Sequence, residues 1–441
     1  MYQELKPFQV HNEGIRSSGR LLLQHGYCVD PQNGLQDYAD IAISGDTILE
    51  VADSIAPEAG DHMIDCRDLL VVPGLIDMHL HMGDLFEQST RSICCAVEDG
   101  VTMGLSPGAG NTFMAPALLG AEIDRGLPIN AGVFLGAPAV LATMLSVQEL
   151  IALFRGTLDV QTAQMRMTRN PVTNATAPYV IGIKDHMGHF IMSDENIETI
   201  FEITSKAGLV YSSHTQDPEH AKRMVSLSHG RCLHLAHANA AGTGSHGEAE
   251  QAMREVLELI NGDTITGEFV TTMLRKGLGS REGLQMTVKA QKLAWEALEA
   301  GIVKILVSDG QNQSTMKGFG DTRDNIPALL ELVEEQVLSL SDAIATMTCN
   351  PAQLLAKRTE NVWWRQKAGN LGPGALANVT VIDRKDKLAT YTITNGQITA
   401  FENRLIRSGS GAGYWVSKFG CTRLGVGDLT KPAEPEGVST V

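Results

Sequence analysis

The sequence predicts an α/β protein, a (β/α)8 TIM barrel joined to a small β-sandwich domain built from both termini. Short alternating strands fill both ends of the chain, and apolar strands alternate with amphipathic helices in the middle. Polar, metal-competent residues stand at the ends of those middle strands. A chain of 441 residues divides naturally into one large domain and one smaller one. The expected boundaries are 1–72 with 357–405 for the sandwich, 73–356 for the barrel, and 406–441 for a C-terminal extension.

From Arg20 to Val72, short apolar stretches are broken by turn formers. Leu21-Leu22-Leu23 leads to Pro31-Gln32-Asn33-Gly34, then to Asp40-Ile41-Ala42-Ile43-Ser44-Gly45-Asp46 and Ile48-Leu49-Glu50-Val51. Period-two alternation with Asn-Gly and Gly-Asp turns predicts small antiparallel strands. The same texture returns at Ala377-Asn378-Val379-Thr380-Val381-Ile382-Asp383 and at Thr392-Ile393-Thr394-Asn395-Gly396-Gln397-Ile398.

The middle opens with Val71-Val72-Pro73-Gly74-Leu75-Ile76-Asp77-Met78-His79-Leu80-His81, read as a buried strand emerging into a site. Ser193 caps a helix with Ile197, Ile200 and Phe201 on its apolar face, and Gly208 stops it. A strand over 209–213 follows. Met253, Val256, Leu257 and Ile260 mark another helix, and Leu293, Ala297 and Leu298 a third that ends at Gly301 before a strand over 302–307. Continuous apolar strands between helices mean a parallel sheet covered by helices. The length suits a barrel of about 250 residues. A doubly wound open sheet is the alternative, but no glycine-rich nucleotide turn follows the first strand.

His79 and His81 stand at i and i+2, so both imidazoles point to one face of a strand and converge as metal ligands. Lys184 follows Val180-Ile181-Gly182-Ile183, His214 ends the strand after Gly208, His237 follows Leu233-His234-Leu235-Ala236, and Asp309 follows 302–307. Barrel enzymes place catalytic groups at the C-terminal ends of their strands. His229 and His234 are rivals to His237, although His234 faces the opposite side of a regular strand. His186 and His189 are expected as pocket or supporting groups, and Cys94 and Cys95 lie on a helix away from any strand end.

Pro73-Gly74-Leu75-Ile76-Asp77-x-His79-x-His81 resembles the signature of the amidohydrolase superfamily. Thr348-Cys349-Asn350-Pro351-Ala352 looks like the family's segment after the barrel, and 369–383 like its return into the sandwich. Resemblance to the binuclear subtype implies two divalent metal ions, zinc first, with manganese, nickel or iron as alternatives. It implies His79, His81 and Asp309 on the more buried metal, His214 and His237 on the outer one, and Lys184 bridging both as a carbamate. It further implies a metal-bridging hydroxide attacking a polarised carbonyl while Asp309 passes the proton to the leaving nitrogen. The implied reaction is hydrolysis of a non-peptide C–N amide bond, in a cyclic amide or an N-acyl compound.

Two other functions compete. A mononuclear aminohydrolase of heterocyclic amines resembles this chain in its histidines and aspartate, but such relatives usually carry glutamate where Asp217 stands. A non-catalytic scaffold would have lost ligands, and all six positions are filled here. Substrate choice is expected from the loops 185–190, 267–279 and 311–320, with the loop 106–111 helping to hold the substrate. Arg275 and Lys276 are read as solvated basic residues before substrate contacts.

The net charge of −16 argues against nucleic acid or an anionic membrane as partner. No apolar run approaches the roughly 18 residues that cross a bilayer. No secretory signal is read at the start, and the seven cysteines are scattered without metal-knuckle spacing. A cytoplasmic, homo-oligomeric enzyme with a small-molecule substrate is the resulting expectation.

Overall fold

A computed structural model describes residues 19–82, 92–108, 110–185, 191–280, 283–310, 318–406 and 411–422. His186, His189 and most of the loop 311–320 lie outside the described residues.

Both ends of the chain meet in one nine-stranded sheet. Leu21–Asp30, Leu35–Ser44 and Thr47–Ala52 form its antiparallel N-terminal part. Val379–Asp383, Leu388–Thr394, Gln397–Phe401 and Arg404–Leu405 supply the C-terminal part. Leu70–Pro73 joins the two, pairing Val71 with Val381 on one side and with Cys28 on the other. The sequence suggests antiparallel strands alone. Leu21–Asp30 instead also pairs in parallel with His62–Asp65 and Leu70–Pro73. Ile41, Ile43, Val71, Val379, Val381 and Ile393 share its separate apolar core.

The apolar run 71–81 is not one strand. It breaks at Gly74, so that Leu70–Pro73 belongs to the sandwich and Leu75–Asp77 to the barrel. Glycine is needed at this handover, because a Cβ there would sit 2.2 Å from Thr102 Oγ1. His79 and His81 therefore lie just beyond the first barrel strand rather than within it.

The remaining barrel strands are Val101–Ser106, Asn130–Gly136, Gly182–Lys184, Val210–His214, Leu233–Ala236, Ile265–Val270 and Ile305–Val307. Each pairs in parallel with the next. Closure comes from a parallel bridge between Leu80 and Gly310, with His81 N–H donating to Gly310 O at 3.0 Å. The Asp77 carboxylate fastens the same seam, accepting from Ser308 N–H and His79 N–H at 3.2 Å each. Burial pushes that carboxyl up to about 6 against these hydrogen bonds. The eighth strand is shorter than the expected 302–307, since Ile302 remains partly exposed in the turn after Gly301.

The expected helices form. Ser193 Oγ accepts from Asn196 N–H to open Asp194–Ala207, and Gly208 closes it at φ 63°. Ala249–Leu259 and Val288–Glu299 cover the outside with Met253, Val256, Leu293 and Ala297 turned inward.

Part of the segment read as an extension belongs to the fold. Trp415–Ser417 and Gly420–Thr422 form a hairpin whose Trp415 pairs with Ala131 at the start of the third barrel strand. Lys418 N–H donates to Val180 O at 2.9 Å, just before the fourth. The hairpin thus sits at the barrel end opposite the strand C-termini.

Candidate metal centre

All six residues singled out by the sequence are buried at the C-terminal ends of barrel strands. His79, Lys184 and His237 are each 2% exposed, Asp309 3%, and His81 and His214 6%. Lys184 and His214 are the last residues of the fourth and fifth strands, and Lys184 stands opposite Ser212. His237 directly follows the sixth strand, and Asp309 lies two residues past the eighth.

Asp309 is where the two ends of the barrel meet. Its Oδ1 lies 3.1 Å from His79 Nε2 and 2.9 Å from His81 Nε2, while its Oδ2 accepts from Phe319 N–H at 3.2 Å. Ligand atoms of His79, His237 and Asp309 all fall within 4.8 Å of one another. This grouping takes His237 together with His79 and Asp309. The His214 ring is 4.5 Å from His237 between centroids, and the Phe319 ring lies 4.9 Å from His237. His237 and Asp309 both hold left-handed backbone, at φ 37° and 47°. Such conformations are costly away from glycine and are kept where the surroundings impose them.

Two further carboxylates brace the histidines. Glu268, in the seventh strand, is 1% exposed. It faces His79 Nδ1 at 2.5 Å and His234 Nε2 at 2.9 Å, and accepts from His237 N–H at 3.3 Å. Asp185 accepts from His214 N–H at 2.9 Å and from Ser213 Oγ–H at 3.1 Å, with His220 Nε2 at 3.3 Å. Neither stands out in the sequence. Glu268 is a lone acid in Ile265-Thr266-Gly267-Glu268-Phe269, and only its burial in an inward-facing strand position marks it.

Electrostatics suits a cation here. Burial opposes charge on His79, Glu268 and Asp309, yet the Asp309 and Glu268 carboxylates raise the proton affinity of His79. The facing imidazoles hold the Asp309 and Glu268 carboxyls well below the usual range despite burial. A pocket whose carboxylates draw a proton onto imidazole draws a divalent cation by the same field. Imidazole nitrogen and carboxylate oxygen are the donors such ions take.

The other candidates have structural roles. His229 ends the helix Pro218–Ser228 at φ 49° and pairs with Glu198 on the surface at 2.9 Å. His234 is not turned away as a regular strand requires of it relative to His237, because the strand ends at Ala236 and His237 departs from extended backbone. Asp217 caps Pro218–Ser228 by accepting from Glu219 N–H at 3.0 Å. Arg275 pairs with Asp324 and Glu331, and Lys276 with Glu335. Positions 94 and 95 lie in the helix Ser92–Glu98.

Residues 70–403 match the family model described as the Amidohydrolase family. The chain belongs to that family. As an amidohydrolase it is a metal-dependent hydrolase acting on carbon–nitrogen bonds other than peptide bonds. A dihydroorotase of Trichlorobacter lovleyi is 24% identical over 423 residues, covering 86% of this amidohydrolase and 92% of the relative. The structure of dihydropyrimidinase from Brevibacillus agri superposes with a TM-score of 0.62 at 15% identity, covering 90% of this chain and 98% of that one. D-hydantoinase (dihydropyrimidinase) from Thermus sp. gives 0.65 at 14%, with coverages of 90% and 98%. The heterocyclic-amine deaminase alternative is not favoured, and Asp217 is committed to its helix cap. No described helix is long and apolar enough to cross a membrane.

Proposed function

We propose that this amidohydrolase opens cyclic amides by hydrolysis, using a binuclear centre held by His79, His81, Lys184, His214, His237 and Asp309. The convergence of His79 and His81 Nε2 on one oxygen of Asp309, with His214 and His237 beside them, carries the reading. The dihydroorotase names of the sequence relatives favour a cyclic amide over an N-acyl compound. Zinc is the first candidate, and Lys184 the residue that would bridge two ions as a carbamate, since an anionic bridge suits neighbouring cations where an ammonium does not. When bound, the ions would make a water acidic enough to attack at neutral pH and would polarise the substrate carbonyl.

The chain's own groups then divide the remaining work. Asp309 Oδ1 is turned to the imidazoles and Oδ2 is held by Phe319 N–H, which fixes the carboxylate at the strand mouth. In this reading Asp309 receives the proton of the attacking water and gives it to the departing ring nitrogen, so that the cleaved C–N bond yields a carboxylate and a free N–H. Phe319 walls the His214 and His237 side with an apolar ring. Assembly as a cytoplasmic homo-oligomer belongs to the same reading, and light scattering on the purified protein checks the assembly.

A panel of five- and six-membered cyclic amides and ureas, assayed for ring opening with zinc or manganese present, tests the function. At least one ring is expected to open, with Asp309→Asn lowering kcat at least a hundredfold. Ammonia release from heterocyclic amines with no ring opening contradicts the proposal.

A further inference from the structure

Glu268 joins two of the proposed ligands to a third histidine that has no place among them. An ionised carboxylate only accepts hydrogen bonds, so each imidazole nitrogen facing it carries the proton. His79 is thereby held with its hydrogen on Nδ1, towards Glu268 Oε1 at 2.5 Å, which makes Nε2, 3.1 Å from Asp309 Oδ1, the nitrogen that would turn to a metal ion beside that carboxylate. His234 presents Nε2–H to Glu268 Oε2 at 2.9 Å, and its Nδ1 meets Thr266 Oγ1 at 2.9 Å. The same Glu268 Oε1 accepts from His237 N–H, on the residue whose backbone is at φ 37°. Half-buried Thr266 and buried His234 and Glu268 thus form a line of hydrogen bonds across the sixth and seventh strands, ending on His79.

We propose that Glu268 is a positioning residue of the metal centre, fixing the His79 tautomer and the His237 backbone together, with His234 holding Glu268 in place. The inference rests on the metal-centre reading above and adds to it the residue that sets ligand geometry. Carboxylates behind metal-binding imidazoles orient the ring and raise its basicity, and their loss commonly weakens metal affinity 10–100-fold. Glutamine keeps the shape of Glu268 but places an N–H donor against one of two imidazole N–H groups. One ring must then turn or change tautomer.

The test is zinc affinity of the full-length protein, measured by competition with a chelating indicator, for wild type, Glu268→Gln, Glu268→Asp and His234→Gln. Glu268→Gln is expected to weaken zinc binding about 10–100-fold. Glu268→Asp recovers part of the loss, and His234→Gln shows a smaller loss than Glu268→Gln. At saturating zinc, Glu268→Gln lowers kcat for ring opening while KM stays within about twofold. Wild-type zinc affinity in Glu268→Gln overturns the inference, including when its thermal stability falls, since that pattern belongs to a structural role alone. If Glu268→Gln does not fold, His234→Gln carries the test, and undiminished zinc affinity there overturns it. A folded wild type that binds no zinc overturns the metal reading and this inference with it; equal binding by wild type and variant overturns only the inference.

Discussion

His79 and Glu268 differ sharply in how far the sequence reveals them. His79 belongs to a spaced pair at the end of an apolar run, and residue type with spacing is enough to suggest a ligand. Glu268 has no other acid or histidine in its own strand, and its meaning depends on His79, nearly two hundred positions away, packing against it. His234 is misread for a local reason, because strand alternation holds only while the backbone stays extended, and at His237 it does not. Asp99 is a further buried acid that spacing leaves unmarked, 8% exposed and accepting from Thr322 Oγ1–H at 2.5 Å. Burial, with Asp321 nearby, pushes its carboxyl from the ordinary 3.8 up to about 7, against the Thr322 hydrogen bond. The folded state therefore binds this proton more tightly than the unfolded chain does. Its contribution to stability is full below about pH 4 and is lost as pH rises towards 7. Asp99→Asn removes that loss. In urea titrations the variant should gain on the order of 2–4 kcal/mol over wild type between pH 4 and pH 8. An unchanged difference between the two pH values contradicts this account of Asp99.

Among the elements, the helices were the most legible, because their caps and apolar faces are local. Ser193 and Gly208 bound Asp194–Ala207 as their chemistry requires. The run 71–81 was less legible, since continuous hydrophobicity does not say which of two sheets a residue joins. The division falls at Gly74, where Thr102 of the second barrel strand approaches too closely for a side chain. Gly74→Ala should accordingly cost about 1–3 kcal/mol in folding free energy, read from the denaturant midpoint. A substitution that leaves the midpoint in place would show that the handover does not depend on this contact. The hairpin at 415–422 was hidden for a different reason: Trp415 and Val416 are buried only because the barrel's far end accepts them.

Across the whole molecule, three buried asparagines tie the parts together. Asn395 Nδ2 donates to Asn130 Oδ1 at 2.7 Å and to Ala412 O at 2.6 Å, and its backbone N–H donates to Asn378 Oδ1 at 2.9 Å. Asn130 lies in the barrel, Asn378 and Asn395 in the sandwich region, and Ala412 beside the C-terminal hairpin. Asn395→Ala strands the Ala412 carbonyl, while Asn130 Oδ1 keeps the Tyr414 N–H donor at 2.9 Å, so the loss should cost about 1–3 kcal/mol, the range for one buried unpaired group. Metal content should not change in the folded variant, because the cluster lies away from the strand C-termini; a loss of metal at full folding would contradict that separation. The overall architecture was readable from the chain because strand–helix alternation and strand-rich ends are patterns of many residues. The bracing of the proposed ligands was not, because it arises where separate strands meet. Metal per chain, by elemental analysis of protein produced with zinc and bicarbonate, tests the central claim most directly. About two ions in wild type, falling to one or fewer in Lys184→Ala, is the predicted result. A folded wild type without bound metal, or equal content in both proteins, contradicts a Lys184-bridged binuclear centre.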